Sequence, residues 1–420
     1  MKFKAVSLIS WSCFAACALM FTQAGNAAEV KMGLEGIPSY DHIILIEMEN
    51  RQYGQIIGAS PPTSPHMTEL SESYNSATNY YGITHVSQPN YVALTSGDQQ
   101  GLVDDDPWYC RSDGSKLSRE QAVVAGAPNP GDMNPSCSGA AHPHYPNHHF
   151  DVPNLFDQMN TAHISWSMFN QSMPIDAVTH LPRPEDPTYP TKSMSPGLYN
   201  LYVSKHNPSV NYDKIRASRD FYSHNKTADE FFSELKSGAI PRFSYVVPDQ
   251  CHDDHGPGGD LKKAPECVQT AEASPLLKTG DDYVYKLVTA IKSSPLWTSK
   301  ENVAVVITFD EDDYGSAGIQ GCCGYQPAGP NDPRVGSINQ GGGHIPMIVI
   351  TNHGVRGVQD PTPYNHYSLL RTIEDSFGIA NHLAHAALKK PVQPADGSFL
   401  QTAVLPMAPM FAIKNGSKVN

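Results

Sequence analysis

The sequence predicts an α/β fold with a mostly parallel central sheet and helices on both of its faces. Three observations support this class. Short runs that are apolar on both faces suit buried parallel strands. Helical patterns lie between these runs, and polar residues gather directly after several of them. Strands that alternate with helices are joined by right-handed crossovers, which gives a layered α/β architecture.

Composition supports one packed globular domain over residues 29–420, with long loop insertions. Hydrophobic residues make up 40% of the 420 residues, and 35 prolines and 32 glycines gather between the apolar runs. The formal net charge of −13 argues against nucleic acid as a partner and against electrostatic attachment to anionic lipid. An anionic substrate remains compatible with this charge where a metal or a cluster of donors reverses the sign inside a cleft.

The first 28 residues have the pattern of a secretory signal peptide. Two lysines precede an apolar stretch, and small residues surround Ala27 and Ala28. We therefore expect an exported protein, periplasmic or secreted, and no later apolar run is long enough for a transmembrane segment. Export makes disulfides plausible. The candidate pairs are Cys110 with Cys137, Cys251 with Cys267, and the adjacent Cys322 and Cys323, which could also have separate partners.

Five strands and five helices are expected in alternation along the chain. The strands are HIILIEM (42–48), HISWSMF (163–169), RFSYVV (242–247), NVAVVITF (302–309) and IPMIVIT (345–351). The helical patterns cover 65–77, 154–161, 227–238, 280–294 and 368–379. In the fourth of these, apolar residues recur at helical spacing after acidic residues that suit a first turn.

Polar residues follow three of the expected strands at the point where each strand ends. Glu49 and Asn50 follow the first strand, the run PDQCHDDHG (248–256) follows the third, and Asp310 and Glu311 follow the fourth. The carboxyl ends of parallel strands meet at one edge of the sheet, where ligands bind in open α/β folds. We therefore expect one site assembled from three distant parts of the chain.

A divalent metal ion is the expected cofactor of this site. Grouped carboxylates repel one another and favour a cation or a shared proton. Glu49, Asn50, Asp310 and Glu311 offer hard oxygen ligands, which suit magnesium, manganese, calcium or zinc. Taken alone, each pair could equally cap a helix or lie in a turn, so their joint placement is what indicates a site.

Ser87 allows two interpretations. In HVSQPNYVALTSGD (85–98) it lies where a helix would begin, so it could be an N-cap. Alternatively, a bound metal would lower the pKa of its hydroxyl and make it a nucleophile. In that case Asn90 and the first amides of the helix could hold the other oxygens of a phosphoryl group, and His255 could bind phosphate or relay a proton.

Several motifs in this order resemble the phosphoesterase family, which contains bacterial acid phosphatases and phospholipases C within the alkaline-phosphatase-like superfamily. The similarity covers residues from about 40 to about 380. The motifs are IILIEMENRQYGQIIG, SQPNYVALTSGD, NLFDQMNTAHISWSMFNQSMP, KHNPSVNY, IPRFSYVVPDQCHDDHG, VVITFDEDD and YNHYSLLRTIEDSFGI.

The resemblance implies a role for each candidate residue. The two oxygen-ligand pairs look like metal ligands, and Ser87 looks like the hydroxyl that becomes a phosphoserine. His206, together with His255 and Asp253, resembles residues that contact phosphate or the leaving group. His366 is a further substrate-binding candidate. A second metal at Asp249 and His255, as in two-metal relatives, stays an alternative.

The predicted function is an exported, metal-dependent acid phosphatase that acts on phosphomonoesters through a phosphoserine. The substrate would be a phosphorylated small molecule or a lipid head group. A phospholipase C-type phosphodiesterase is the nearest alternative, although Tyr91 stands where many phospholipase relatives have arginine. A non-catalytic exported binding protein stabilised by a metal is the alternative from another class.

Overall fold

The computed structural model describes residues 30–60, 62–102, 105, 149–184, 198–199, 201–259, 262, 264–268, 275–313, 321–324, 341–391 and 402–414. The expected signal peptide and the candidate pair Cys110–Cys137 lie outside these residues. Within them, Cys251 is bonded to Cys267 and Cys322 to Cys323. No helix in the described ranges is both long and apolar enough to cross a bilayer.

The strands alternate with helices along the chain. The strands are β1 (His42–Met48), β2 (Asn75–Ala77), β3 (Tyr80–Tyr81), β4 (Trp166–Asn170), β5 (Leu198–Tyr199), β6 (Asn225–Thr227), β7 (Phe243–Val247), β8 (Gly258–Gly259), β9 (Val303–Phe309), β10 (Met347–Thr351), β11 (Gln359–Asp360) and β12 (Tyr364–Asn365). The α-helices are α1 (Tyr53–Ile56), α2 (Pro65–Ser73), α3 (Ser87–Ser96), α4 (Leu155–Thr161), α5 (Asp213–Arg216), α6 (Phe221–His224), α7 (Ala228–Ser237), α8 (Pro275–Lys292), α9 (His366–Ser376) and α10 (Ala408–Phe411).

One large mixed sheet organises the molecule. Its strand order is β11-β2-β10-β9-β1-β7-β4-β6. Neighbouring strands pair in parallel except at β10, which runs antiparallel to both β9 and β2. The prediction of a mostly parallel α/β sheet is therefore confirmed. The expectation that the run ending at Thr351 is a parallel strand is wrong, because an apolar run specifies burial and not direction.

The sheet is covered on both faces. Every residue of β4, β7, β9 and β10 is buried, and successive side chains of a strand point to opposite faces. Helices α3, α4, α5 and α9 pack in one connected group, while α2, α7 and α8 pack in another. The resulting layers leave the carboxyl end of the sheet as the place where strand-end residues can meet.

The first predicted helix ends earlier than expected. The helical pattern over 65–77 ends at Ser73, and Asn75–Ala77 form strand β2. These three residues pair with β10 on one side and with β11 on the other. Tertiary pairing thus overrides the local helical pattern there. The other four predicted helices lie at their expected locations.

Candidate active site

Three neighbouring strands deliver the predicted ligands to one place. Strand β1 lies between β7 and β9 and runs parallel to both, with Met48 opposite Phe309. The residues that follow, Glu49 and Asn50 on one strand and Asp310 on the other, are therefore adjacent. The backbone N–H of Asn50 donates to Asp310 Oδ1 at 3.0 Å. Its side-chain amide donates to Glu311 Oε1 at 3.3 Å.

Ser87 faces this ligand cluster. Helix α3 begins at Ser87, and its N-cap is Val86, which makes no side-chain cap hydrogen bond. The Ser87 hydroxyl donates to Glu49 Oε2 at 2.9 Å, and it lies 3.5 Å from Asn50 Oδ1 and 3.4 Å from Glu311 Oε1. The interpretation of Ser87 as an N-cap is wrong, because its hydroxyl contacts acidic side chains from other strands and not its own helix.

The charge balance of the cluster fits a divalent cation. Burial raises the pKa of Asp310 to about 6 and that of Glu311 to about 8. Burial also raises the pKa of Glu49 well above its usual value, and the charge of Asp310 adds to that rise. Among the described residues, Oδ2 of Asp310 has no hydrogen-bond partner. Three buried carboxylates that lie this close together, one of them with an unpaired oxygen, favour a positive charge between them, and oxygen donors suit a hard ion.

His206 and His255 lie beside the cluster. His206 Nε2 is 3.1 Å from Glu49 Oε1, and its Nδ1 is 3.7 Å from Asp253 Oδ2. The ring of His255 meets that of His206 edge to face at a centroid distance of 6.2 Å. Burial lowers the pKa of His206 well below its usual value and that of His255 to about 4. Both imidazoles are therefore neutral near pH 7 in the substrate-free protein.

Asp253 contributes to the geometry through its backbone as well as its side chain. Its carbonyl accepts the N–H of Glu49 at 2.7 Å, and its Oδ1 accepts the N–H of His255 at 2.7 Å. Asp249, the candidate for a second metal, contacts Ser172 and the ring of His252. The loop after β7 is thus tied directly to the end of β1.

Asn90 and His366 act on the backbone around the site. The Asn90 amide accepts from the N–H groups of Ile83 and Thr84 and donates to two carbonyls of the same loop. His366 places Nε2 2.7 Å from the carbonyl oxygen of Asp310 and Nδ1 3.0 Å from the hydroxyl of Tyr80. The polar atoms of both side chains are already engaged, so their contribution to substrate binding would come through the backbone that they hold.

Two residues outside the predicted site set contact the candidate ligands. The Tyr91 hydroxyl donates to Glu49 Oε1 at 2.6 Å, and its ring stacks on His206. His85 bridges Glu311 and Asp312, with Nε2 3.2 Å from Asp312 Oδ1. Tyr91 follows Ser87 by four residues, a spacing that puts both on one face of a helix, so this signal was present in the sequence.

Glycines allow the backbone to approach the end of β9. A Cβ atom on Gly82 would lie 2.7 Å from the carbonyl oxygen of Asp310 and 2.8 Å from that of Gly342. Real Cβ atoms are not found this close to backbone atoms, so the contact requires glycine. The segment leading to Ser87 and the strand carrying Asp310 are therefore packed main chain against main chain.

Comparison with known proteins finds relatives that are named as phosphatases. The chain is 24% identical over 356 residues to a probable acid phosphatase of Kluyveromyces lactis, covering 85% of this chain and 62% of that protein. It is 21% identical over 364 residues to a phosphatidylinositol-3-phosphatase of Mycobacterium tuberculosis, covering 87% and 86% of the two chains. The chain thus spans less than two thirds of the fungal relative's length.

A solved structure and a family model complete the comparison. A Vibrio parahaemolyticus protein of the alkaline phosphatase superfamily matches with 13% identity and a TM-score of 0.42, covering 81% of this chain and 67% of that one. The model of the phosphoesterase family matches residues 60–380. That span includes Ser87, the strand ends that carry Asp253 and Asp310, and most of the central sheet. The resemblance seen in the motifs is confirmed, and the chain belongs to the phosphoesterase family.

Proposed function

We propose that this protein is an exported, metal-dependent phosphoric-ester hydrolase, and that it acts as an acid phosphatase on phosphomonoesters through a phosphoserine. One observation carries the proposal. The hydroxyl of Ser87, at the first position of helix α3, lies within 3.5 Å of Glu49, Asn50 and Glu311. Membership in the phosphoesterase family and relatives named as phosphatases support the reaction class.

The ligand cluster would hold the metal ion through oxygen atoms of Glu49, Asn50, Asp310 and Glu311. A divalent cation bound there favours the alkoxide form of a serine hydroxyl and offsets the negative charge of phosphoryl oxygens. Tyr91 and His85 orient two of the four ligands through their contacts with Glu49 and Glu311. Outer partners of this kind fix ligand geometry and tune metal affinity.

The chemistry is a double displacement at phosphorus. Ser87 gives up its proton to solvent, and its Oγ forms a bond to phosphorus as the bond to the leaving oxygen breaks. That oxygen takes a proton from water, or from His206 or His255 after the negative charge of the bound phosphoryl group has raised the imidazole pKa and the ring has gained a proton. Water then attacks the phosphoserine, returns the hydroxyl of Ser87 and releases inorganic phosphate. The start of helix α3 favours negative charge next to Ser87 throughout.

The substrate would be a phosphorylated small molecule or a lipid head group. The mycobacterial relative, which matches over most of both chains, is named for a phosphoinositide monoester, so monoesters on both kinds of carrier deserve testing. A phospholipase C-type activity would use the same cluster on diesters. The test is a panel of p-nitrophenyl phosphate, phosphatidylinositol 3-phosphate and phosphatidylcholine, and turnover of the diester alone would contradict the monoesterase assignment.

Chelation should abolish activity reversibly. We expect a strong chelator to remove turnover of p-nitrophenyl phosphate, and one of the ions magnesium, manganese, calcium or zinc to restore it, because the buried carboxylates need a counter-charge. Turnover would be measured before chelation, after removal of the chelator, and after addition of each ion. Full activity in the presence of the chelator would contradict the metal assignment.

Replacing Tyr91 by phenylalanine should weaken metal binding, while the phenyl ring still fills the space of the tyrosine ring in the core. The variant loses the 2.6 Å hydrogen bond to Glu49, and loss of such a partner typically costs about 10- to 100-fold in metal affinity or activity. The readout is the metal concentration that gives half-maximal activity.

Tyr212→Phe is the matched control for Tyr91→Phe. The Tyr212 hydroxyl lies 2.6 Å from Thr95 Oγ1 on the same helix α3, and both tyrosines are buried. We expect the control to leave the metal requirement unchanged. An equal metal requirement in the two variants would show that Tyr91 does not position Glu49.

A further inference from the structure

A charged bridge lies at the start of helix α3, beside Ser87. Lys205 Nζ is 2.6 Å from Asp105 Oδ2. The other oxygen of the same carboxylate, Oδ1, accepts the backbone N–H of Gln88 at 2.9 Å. Gln88 is the residue after Ser87, so one carboxylate spans a lysine and the amide adjacent to the candidate nucleophile.

Lys205 directs its charge into the site. Its side chain is only 13% exposed, and it precedes His206, which contacts Glu49. Burial alone would lower the pKa of Lys205, but the negative charges of Asp105 and Glu49 raise it. The lysine is therefore a buried cation at neutral pH, and a buried cation is costly unless it meets an anion.

Two groups hold the Asp105 carboxylate beside the ligand cluster. It lies close enough to the ligand cluster that, after burial and nearer groups, its charge adds to the raised pKa of Glu311. Lys205 and the Gln88 amide bind one oxygen each of this carboxylate. Two oxygens of one anion that meet a cation and a helix amide form the arrangement in which proteins bind oxyanions.

A second polar group beside Lys205 lacks a hydrogen bond. The ring nitrogen Nε2 of His206 is buried and has no hydrogen-bond partner among the residues that the structure describes, although Glu49 Oε1 is 3.1 Å away. Buried polar atoms without partners are rare in native proteins. Two features therefore lie at this end of helix α3. One is a position between Lys205 and the Gln88 amide that the Asp105 carboxylate occupies, and the other is His206 Nε2, which lacks a hydrogen bond within the described chain.

We propose that Lys205 and the backbone N–H of Gln88 bind the phosphoryl group of the substrate, and that the Asp105 carboxylate occupies this position in its absence. Asp105 is then an internal competitor, which a phosphate displaces because it offers oxygens of the same kind with more negative charge. The inference rests on the proposed function, since it takes the ligand to be the phosphoryl group that Ser87 attacks.

Binding of inorganic phosphate to the protein without its expected signal peptide tests the proposal. Isothermal titration calorimetry would compare wild type with Asp105→Asn, Lys205→Met and Lys205→Arg. Asp105→Asn should tighten phosphate binding about tenfold, because the amide keeps the shape and loses the competing charge. Lys205→Met should weaken binding about tenfold or more through loss of a charge-assisted hydrogen bond. Lys205→Arg should retain most of the affinity.

Lys226→Met is the matched control. Lys226 makes an ion pair of the same 2.6 Å length with Glu234, and its side chain is 22% exposed. We expect it to bind phosphate as wild type does. Thermal unfolding of every variant separates loss of binding from loss of folding. If Lys205→Met does not fold, Asp105→Asn decides, since Asp105 is 31% exposed.

Each result has one meaning. Unchanged or weaker phosphate binding in Asp105→Asn overturns the competitor role, and unchanged binding in folded Lys205→Met overturns the lysine as a ligand. Because binding needs no turnover, failure of the proposed function is distinguishable: a wild type that hydrolyses no phosphoester but shows the expected binding pattern keeps the anion site and loses the phosphatase. Normal turnover with wild-type binding in both variants rejects this inference alone.

Discussion

Ser87→Ala is expected to reduce phosphatase turnover by on the order of 10⁴-fold or more, because no other group replaces a covalent nucleophile. The thermal midpoint should change little. The variant loses a hydrogen bond of 2.9 Å to Glu49, which is worth about 1 kcal/mol, and a methyl group fits where the hydroxyl was. Turnover of p-nitrophenyl phosphate and the unfolding midpoint would be measured on the same preparation.

Ser96→Ala is the control for this prediction. Ser96 lies in the same helix α3, is equally buried, and hydrogen-bonds to the carbonyls of Val92 and Asp98. Its replacement should leave turnover near the wild-type value. Denaturing mass spectrometry after mixing with substrate gives a second readout, since a phosphate adduct should form on wild type and be absent from Ser87→Ala. Near-normal turnover in Ser87→Ala would refute the nucleophile.

Asp310→Asn is expected to abolish both turnover and stabilisation by metal. In wild type, a divalent ion at 100 times its dissociation constant should add about 2.7 kcal/mol to the free energy of unfolding. The variant loses a ligand and a charge, so its unfolding midpoint should no longer respond to metal. The chelated variant should be at least as stable as chelated wild type, because it lacks one buried carboxylate without a counter-charge.

Asp360→Asn serves as the comparison. Asp360 lies in strand β11 and is also buried. Its carboxylate accepts the N–H of Thr362 and the hydroxyl of Tyr364, which are not part of the ligand cluster. This variant should keep the full response to metal, whatever its own stability. If Asp310→Asn is stabilised by metal as strongly as Asp360→Asn, Asp310 is not a ligand.

The sheet was predictable where burial alone defined a strand. The five apolar runs correspond to β1, β4, β7, β9 and β10. Their limits and directions needed tertiary information. The second predicted strand was expected to begin at His163, but this residue lies in a turn with a φ of 54°. The observed strand β4 begins at Trp166. The antiparallel direction of β10 and the short strand β2 depend on partners far away in the sequence.

The ligand cluster was predictable from polar residues at strand ends, whereas most of the contacts around it, apart from that of Tyr91, were not. The structure brings Glu49, Asn50, Asp310 and Glu311 to Ser87, as the strand-end pattern indicates. Their catalytic and metal-binding roles stay predictions. The backbone contacts of Asn90 and His366 could not be read from the chain, because the first depends on how the loop before helix α3 is folded and the second on a carbonyl 56 residues away.

The candidate site also has a consequence for how the protein matures. Its contacts join residues 38, 224 and 260 positions apart in the chain, so a folding intermediate in which β1 and β9 have not yet paired lacks a complete set of ligands. Metal would bind only molecules in which β1, β9 and the start of helix α3 have come together, and it would stabilise those molecules by mass action. Enzymatic activity would then report the assembly of these three elements, which makes it a sensitive assay of refolding yield.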